Sequence, residues 1–202
     1  MQTIVIFANS VKHHQHCVAG KCWTTNHWIR LVSDRDGSEL TRDQAMYRNP
    51  HGRFLVKPLQ KILVELGPHV PLDHQPDNYL VTDTEWVQKY KIEIDEINSF
   101  LDEPPDLWGP GASLDADAIC QGLFTVQQSL YLIQVHNTEP YRTNTNRRRV
   151  RFSYNERTYD LPVTDPTFDD ILTGRRNHND YLCLSLGEKF QDKHWKIVAS
   201  IF

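Results

Sequence analysis

The sequence predicts a mainly β fold with a few short helices, arranged as two small barrels in tandem. Three observations predict it. Short runs of β-branched and aromatic residues recur along the chain, Gly, Pro and Asn break them, and helical apolar spacing is confined to short stretches. With 202 residues, 39% of them hydrophobic, and a net charge of -4, the chain can bury a core without disulfides or metals, and global disorder is excluded. No apolar run approaches the roughly 18 residues that span a bilayer.

Thr3–Ala8 is an apolar, β-branched run of buried-strand type, and the N-terminus around it lacks the basic region and small-residue cleavage site of a secretory signal. Asn9–Lys21 is polar and His-rich and reads as a loop. Trp23–Ser33 alternates roughly and ends at the turn signal Asp34–Gly37. Leu59–Leu66, between Pro58 and the Gly67-Pro68 stop, has the length of a barrel strand. His69–Asn78 is irregular and contains Pro71 and Pro76. Asp95–Leu101 is the helical stretch of the first half: Ile97, Phe100 and Leu101 share one face, and Glu103-Pro104-Pro105 ends it. Pro110–Ser113 is a further break. The halves are expected to be residues 1–105 and 106–202.

In the second half Ser129–Val135 reads as a strand. Arg147–Tyr154 and Arg157–Val163 flank Asn155-Glu156, a two-residue hairpin loop. Pro166–Leu172 reads as a short helix capped by Thr164 or Asp165, and Tyr181–Leu186 and Trp195–Phe202 as two more strands. Strand, hairpin, short helix and two strands is the order of a small Greek-key barrel of the oligonucleotide-binding (OB) kind.

The runs CVAGK at 17–21, WIRLVS at 28–33, HQPDN at 74–78, VTDP at 163–166 and YLCLSLGEKF…WKIVASIF at 181–202 follow one another over nearly the whole chain. In that combination the chain resembles the prokaryotic family described as a dual OB-containing domain. Leu31 stands where proline is expected after WIR, and Asp77 where glutamate is expected, so no fixed binding code carries over. The resemblance implies two OB-like barrels, a nucleic acid or nucleotide-derived ligand, and a setting in conflict between bacteria and phage. It implies no catalytic residue.

Arg147, Arg149 and Arg151 share one strand face by alternation, at about 6–7 Å spacing, which approximates the repeat of a nucleic-acid backbone. Phe152, Tyr154 and Tyr159 lie close by and suit base stacking, and that company favours binding over a charged edge strand. Trp28 and Arg30, two apart, serve either stacking and phosphate binding or a core position paired with an acid. His74, Gln75 and Asn78 suit either a base edge or ribose, or the tying down of a long loop. Lys21, after the His-rich segment, can donate to phosphates.

His13, His14, His16, Cys17 and Cys22 crowd one segment, but without a CxxC or HxxxH pair and without a second pair elsewhere, so no zinc or other cofactor is expected. The cysteines, which also include Cys120 and Cys183, are scattered as reduced thiols of a cytoplasmic protein are. Phosphate-loop, nucleophile-elbow, zinc-protease and dinucleotide signatures are absent. The tight acidic pairs Asp115/Asp117 and Asp169/Asp170 sit at apparent helix starts, so neither a nuclease nor another enzyme is expected. The expectation is a nucleic-acid-binding module, for RNA or single strands, acting in defence or counter-defence. A sensor of a nucleotide second messenger, or an adaptor regulating a protein effector, is the alternative.

Overall fold

The first apolar run extends further than its composition suggests: β1 spans Gln2–Lys12 and is followed at once by its antiparallel partner β2, Gln15–Cys22. Within the segment read as a loop, residues 9–12 and 15–21 are therefore strand. Its polar side chains satisfy one another inside: Asn9 Nδ2 donates to the Val56 carbonyl at 2.5 Å, and Asn9 Oδ1 lies 2.9 Å from His16 Nδ1. Burial, with the Arg42 charge nearby, holds His16 below its usual pKa. The computed structural model describes residues 1–12 and 14–202, so His13 lies outside the described residues.

The chain divides into two units, Met1–Phe100 and Leu101–Phe202; the boundary expected from sequence was after residue 105. In the first unit β1 and β2 are followed by β3 (Trp28–Val32), β4 (Met46–Asn49), β5 (Gly52–Leu55), β6 (Gln60–Val64), β7 (Leu66–His69), β8 (Asn78–Val81) and β9 (Trp86–Lys91). They form one nine-stranded sheet in the order β5-β4-β9-β6-β1-β2-β3-β8-β7. The sheet wraps around a single core, because Ile4, Val18, Leu31, Tyr47, Ile62 and Trp86, from six different strands, belong to one buried cluster. The expected helix forms as a 3-10 helix, Ile94–Phe100, burying Ile97 and Phe100. At its two ends the sheet carries β5, whose Arg53 pairs with Glu85 together with Arg48 of β4, and β7, which contains Pro68.

Gly20 sits in β2 where the chain passes the bulge of β1 between Ile6 and Ala8. A Cβ there would lie 2.2 Å from the Val5 carbonyl oxygen, and backbone cannot swing aside as a side chain can. Gly20→Ala is expected to cost about 2 kcal/mol by forcing the pair apart, read as a lower urea midpoint.

The second unit holds β10 (Ser113–Asp115), α1 (Ala116–Cys120), β11 (Leu130–Gln134), β12 (His136–Arg142), β13 (Arg148–Tyr154), β14 (Arg157–Pro162), α2 (Phe168–Leu172), β15 (Tyr181–Phe190) and β16 (Lys193–Ile201). A four-stranded sheet, β10-β16-β15-β11, and a three-stranded sheet, β12-β13-β14, share one core that includes Ile133, Val150, Phe152, Leu161, Leu184 and Val198. A parallel bridge from Val163 to Val198 joins the sheets. The hairpin at Asn155-Glu156 forms as expected, with φ of 47° and 62°, and β15–β16 turns the same way at Gln191-Asp192, with φ of 52° and 59°. Positive φ at both central residues matches the right-handed twist of the strands. Lys196 of β16 is fully buried, and its Nζ donates to the Gly109 and Gly111 carbonyls at 2.6 and 2.8 Å. Among the described residues no helix is long and apolar enough to cross a membrane, and no disulfide joins the cysteines.

Candidate nucleic-acid interface

Alternation along β13 sorts its residues as the sequence requires: Val150, Phe152 and Tyr154 enter the core, while Arg149, Arg151 and Ser153 face the other way. Arg147 precedes the strand and is exposed, its backbone N–H bonded to Thr143 Oγ1 at 3.1 Å. Arg149 and Arg151 therefore share the outward face, and Arg147 lies just before the strand. The strand is the middle one of its sheet, so the charged-edge alternative does not apply.

The face is more occupied than the sequence suggests. Arg149 Nε donates to Asp160 Oδ1 at 2.7 Å, and the Tyr141 hydroxyl donates to the other carboxylate oxygen at 2.6 Å. Burial pushes the Asp160 carboxyl up, but those two partners outweigh it and hold the group below the usual carboxylate range. Arg149 is thus committed. Arg151 is looser: it lies 3.7 Å from Glu139, both side chains more than half exposed, and 5.7 Å above the Tyr141 ring. Such a pair is weak in water and yields readily to a phosphate. Arg148, on the other parity, bonds Asp169 Oδ2 at 2.6 Å beside Phe168.

The aromatic partners expected for these arginines need correction. Tyr154 is of opposite parity and buried, its hydroxyl donating to the Pro104 carbonyl at 2.7 Å, so its ring is not beside Arg149 and Arg151. Tyr141 takes that place, because register sets it opposite Arg149. The sequence reading missed it because β12 contains Pro140 and polar residues. Trp28 is likewise a core residue, 5% exposed, packed edge-on to Phe7 at 6.2 Å. Lys21, 1% exposed, donates to the Phe100 carbonyl at 2.7 Å and sits 5.2 Å from the Trp28 ring. The structure thus gives Lys21 and Trp28 internal places, away from any surface phosphate or base.

Arg30, Gln75 and Asn78 are brought together, but inside. Arg30 pairs with Asn78 in the parallel register of β3 and β8, and its backbone N–H bonds the Asp77 carbonyl at 2.8 Å. Gln75 and Asn78 are buried, and a Cβ on Gly37 would come within 3.1 Å of Asn78 Nδ2 and 3.4 Å of Gln75 Oε1. Gln75 and Asn78 thus lie against the Asp34–Gly37 turn. His74 is half-buried in the turn between Leu72 and Gln75.

A cleft of about 420 Å³ lies in the second unit, lined among others by Asp102, Glu103, Gln134, Tyr154 and Asn155. Two carboxylates in its wall oppose a phosphate-bearing ligand. Asp165 is 4% exposed and turned inward to the Thr167 and Ile201 N–H groups; the N-cap of α2 is Thr167, not Thr164 or Asp165 as the sequence suggests, because the helix starts only at Phe168. Among the described residues no group of three or more His, Cys, Asp or Glu side chains converges as a metal site would.

Comparison with known proteins adds the family. A search of curated proteins returns no match. Among solved structures, the crystal structure of the tetrameric p202 HIN2 matches at 7% identity, covering 100% of this chain and 91% of that one with a TM-score of 0.30, a likeness too slight to carry an argument. The family model described as "Dual OB-containing domain" matches residues 2–201. Two β units and a match over almost every residue lead to one conclusion: the chain belongs to the dual OB-containing domain family.

Proposed function

We propose that the protein is a non-enzymatic OB module that binds single-stranded nucleic acid, RNA above all, by gripping phosphates on the outward face of β12-β13-β14. One observation carries the reading: Arg151 projects from the middle strand of its sheet next to the Tyr141 ring, with Arg147 exposed just before that strand, and among the described residues neither has a strong acidic partner. OB modules combine a basic track with aromatic stacking, and the two exposed arginines with Tyr141 offer both. The acidic cleft argues against a nucleotide messenger as the ligand there. A role in defence or counter-defence between bacteria and phage belongs to the same proposal and rests on the sequence resemblance alone.

The test is binding of labelled single-stranded RNA, single-stranded DNA and duplex across a salt series. Each phosphate contact on a single strand contributes about 0.7 to the slope of log K against log salt. Arg147→Ala with Arg151→Ala is therefore expected to weaken binding and to lower that slope by about 1.4. Tyr154→Phe, a change in the buried ring, should leave both unchanged. An unaltered affinity and slope in the folded double variant would remove the face from the mechanism.

A further inference from the structure

On the first unit, three aromatic rings gather around one lysine. Register sets Lys61 of β6 opposite Tyr90 of β9. Trp23 follows β2 directly, its backbone N–H bonded to the Thr3 carbonyl at 2.9 Å. The Trp23 and Tyr90 rings are 6.2 Å apart and nearly perpendicular, at 82°. Lys61 Nζ lies between them, 3.1 Å from the Trp23 centroid and 4.7 Å from that of Tyr90. Phe100, 5.8 Å behind Trp23, fixes the indole from the core side.

Two features set this cluster apart from ordinary packing. Trp23 and Tyr90 are 38% and 40% exposed, whereas Phe7, Trp28, Trp86 and Phe100 of the same unit are buried. The cation is also unneutralised: among the described residues Lys61 forms no ion pair. Exposed rings with such an ammonium group complement a ligand that is planar and anionic at once. A cationic ligand would be repelled by that lysine, and an apolar partner would strand it.

We infer that Trp23, Lys61 and Tyr90 form a second contact site for single-stranded nucleic acid, where bases stack on the two rings while Lys61 takes a phosphate. Lys61 now rests on the rings through cation–π contact and a long 3.5 Å approach to the Tyr90 hydroxyl. A base entering the site displaces that ammonium toward the neighbouring phosphate. This inference rests on the nucleic-acid reading above but uses none of its residues.

The experiment uses the full chain with labelled oligouridylate and oligothymidylate in a salt series, and ultraviolet cross-linking of the wild-type complex followed by peptide mass spectrometry. Tyr90→Ala and Trp23→Leu are each expected to weaken binding about tenfold with little change in salt slope. Lys61→Ala should lower the slope by about 0.7. Nucleotide adducts on Trp23 or Tyr90 would support the site without any variant, which covers the case where Trp23→Leu folds poorly. If the wild type binds, the Arg147/Arg151 double variant weakens it, and the ring variants and adducts leave residues 23 and 90 silent, this inference is overturned while the proposed function stands. If the wild type binds no nucleic acid, the proposed function itself fails.

Discussion

Asp165→Ala is expected to destabilise the protein by about 3–4 kcal/mol, more than any other single change considered. The carboxylate is 4% exposed and fully used. Its Oδ1 accepts from the Thr167 N–H and the Thr167 hydroxyl, each at 2.7 Å, and its Oδ2 accepts from the Ile201 N–H at 2.9 Å. One side chain therefore ties the residue just before α2 to the end of β16. Arg176 stands 3.7 Å from Oδ2 and itself bonds Thr167 Oγ1 and the Ile201 carbonyl, so the substitution also leaves a guanidinium beside orphaned donors. Asp165→Asn keeps one acceptor and should cost about half as much. Urea unfolding of the three proteins checks this; a loss below about 1 kcal/mol for alanine would mean that water replaces the carboxylate.

Lys196 gives the protein a rising stability on the alkaline side. Burial pushes its pKa from 10.5 to about 8, with Asp106 opposing the shift only in part. Between those values the unfolded chain holds a proton that the folded chain has released. Stability then increases with pH across the window, by about 3 kcal/mol at 1.36 kcal/mol per unit. Above pH 10 the sign reverses. Burial raises the Tyr154 pKa, and the bond to Asp160 raises that of Tyr141, so there the folded chain keeps protons that the unfolded chain loses. Unfolding midpoints at several pH values between 7 and 11 should trace this maximum, and Lys196→Met should flatten its rising limb. Equal slopes in the two proteins would show that the ammonium is solvated.

The strands that carry apolar alternation were legible, and so were the parity of the arginines and the hairpin at Asn155-Glu156. What the sequence hid was polarity satisfied internally. Asn9 and His16 look like loop residues because hydropathy cannot register that they bond each other. Lys21 and Lys196 look like surface cations, yet each donates to backbone carbonyls inside its unit. Tyr154 was assigned to the arginine face by nearness in sequence, although residues 151 and 154 differ in parity; counting by two would have removed it. Trp23 and Tyr90 are 67 positions apart, and only the pairing of β6 with β9 and the return of β2 bring them together.

The ends of the nine-stranded sheet bear on how the chain behaves when crowded. An open sheet is a template for further strands, and chains that stack edge on edge grow into fibres. Here β5 is four residues long and carries Arg53, held with Arg48 on Glu85, while β7 is broken by Pro68, which has no N–H to offer. Both rims refuse a newcomer, one by charge and brevity and the other by a missing donor. Growth of this sheet through its backbone is blocked at both borders by two four-residue strands.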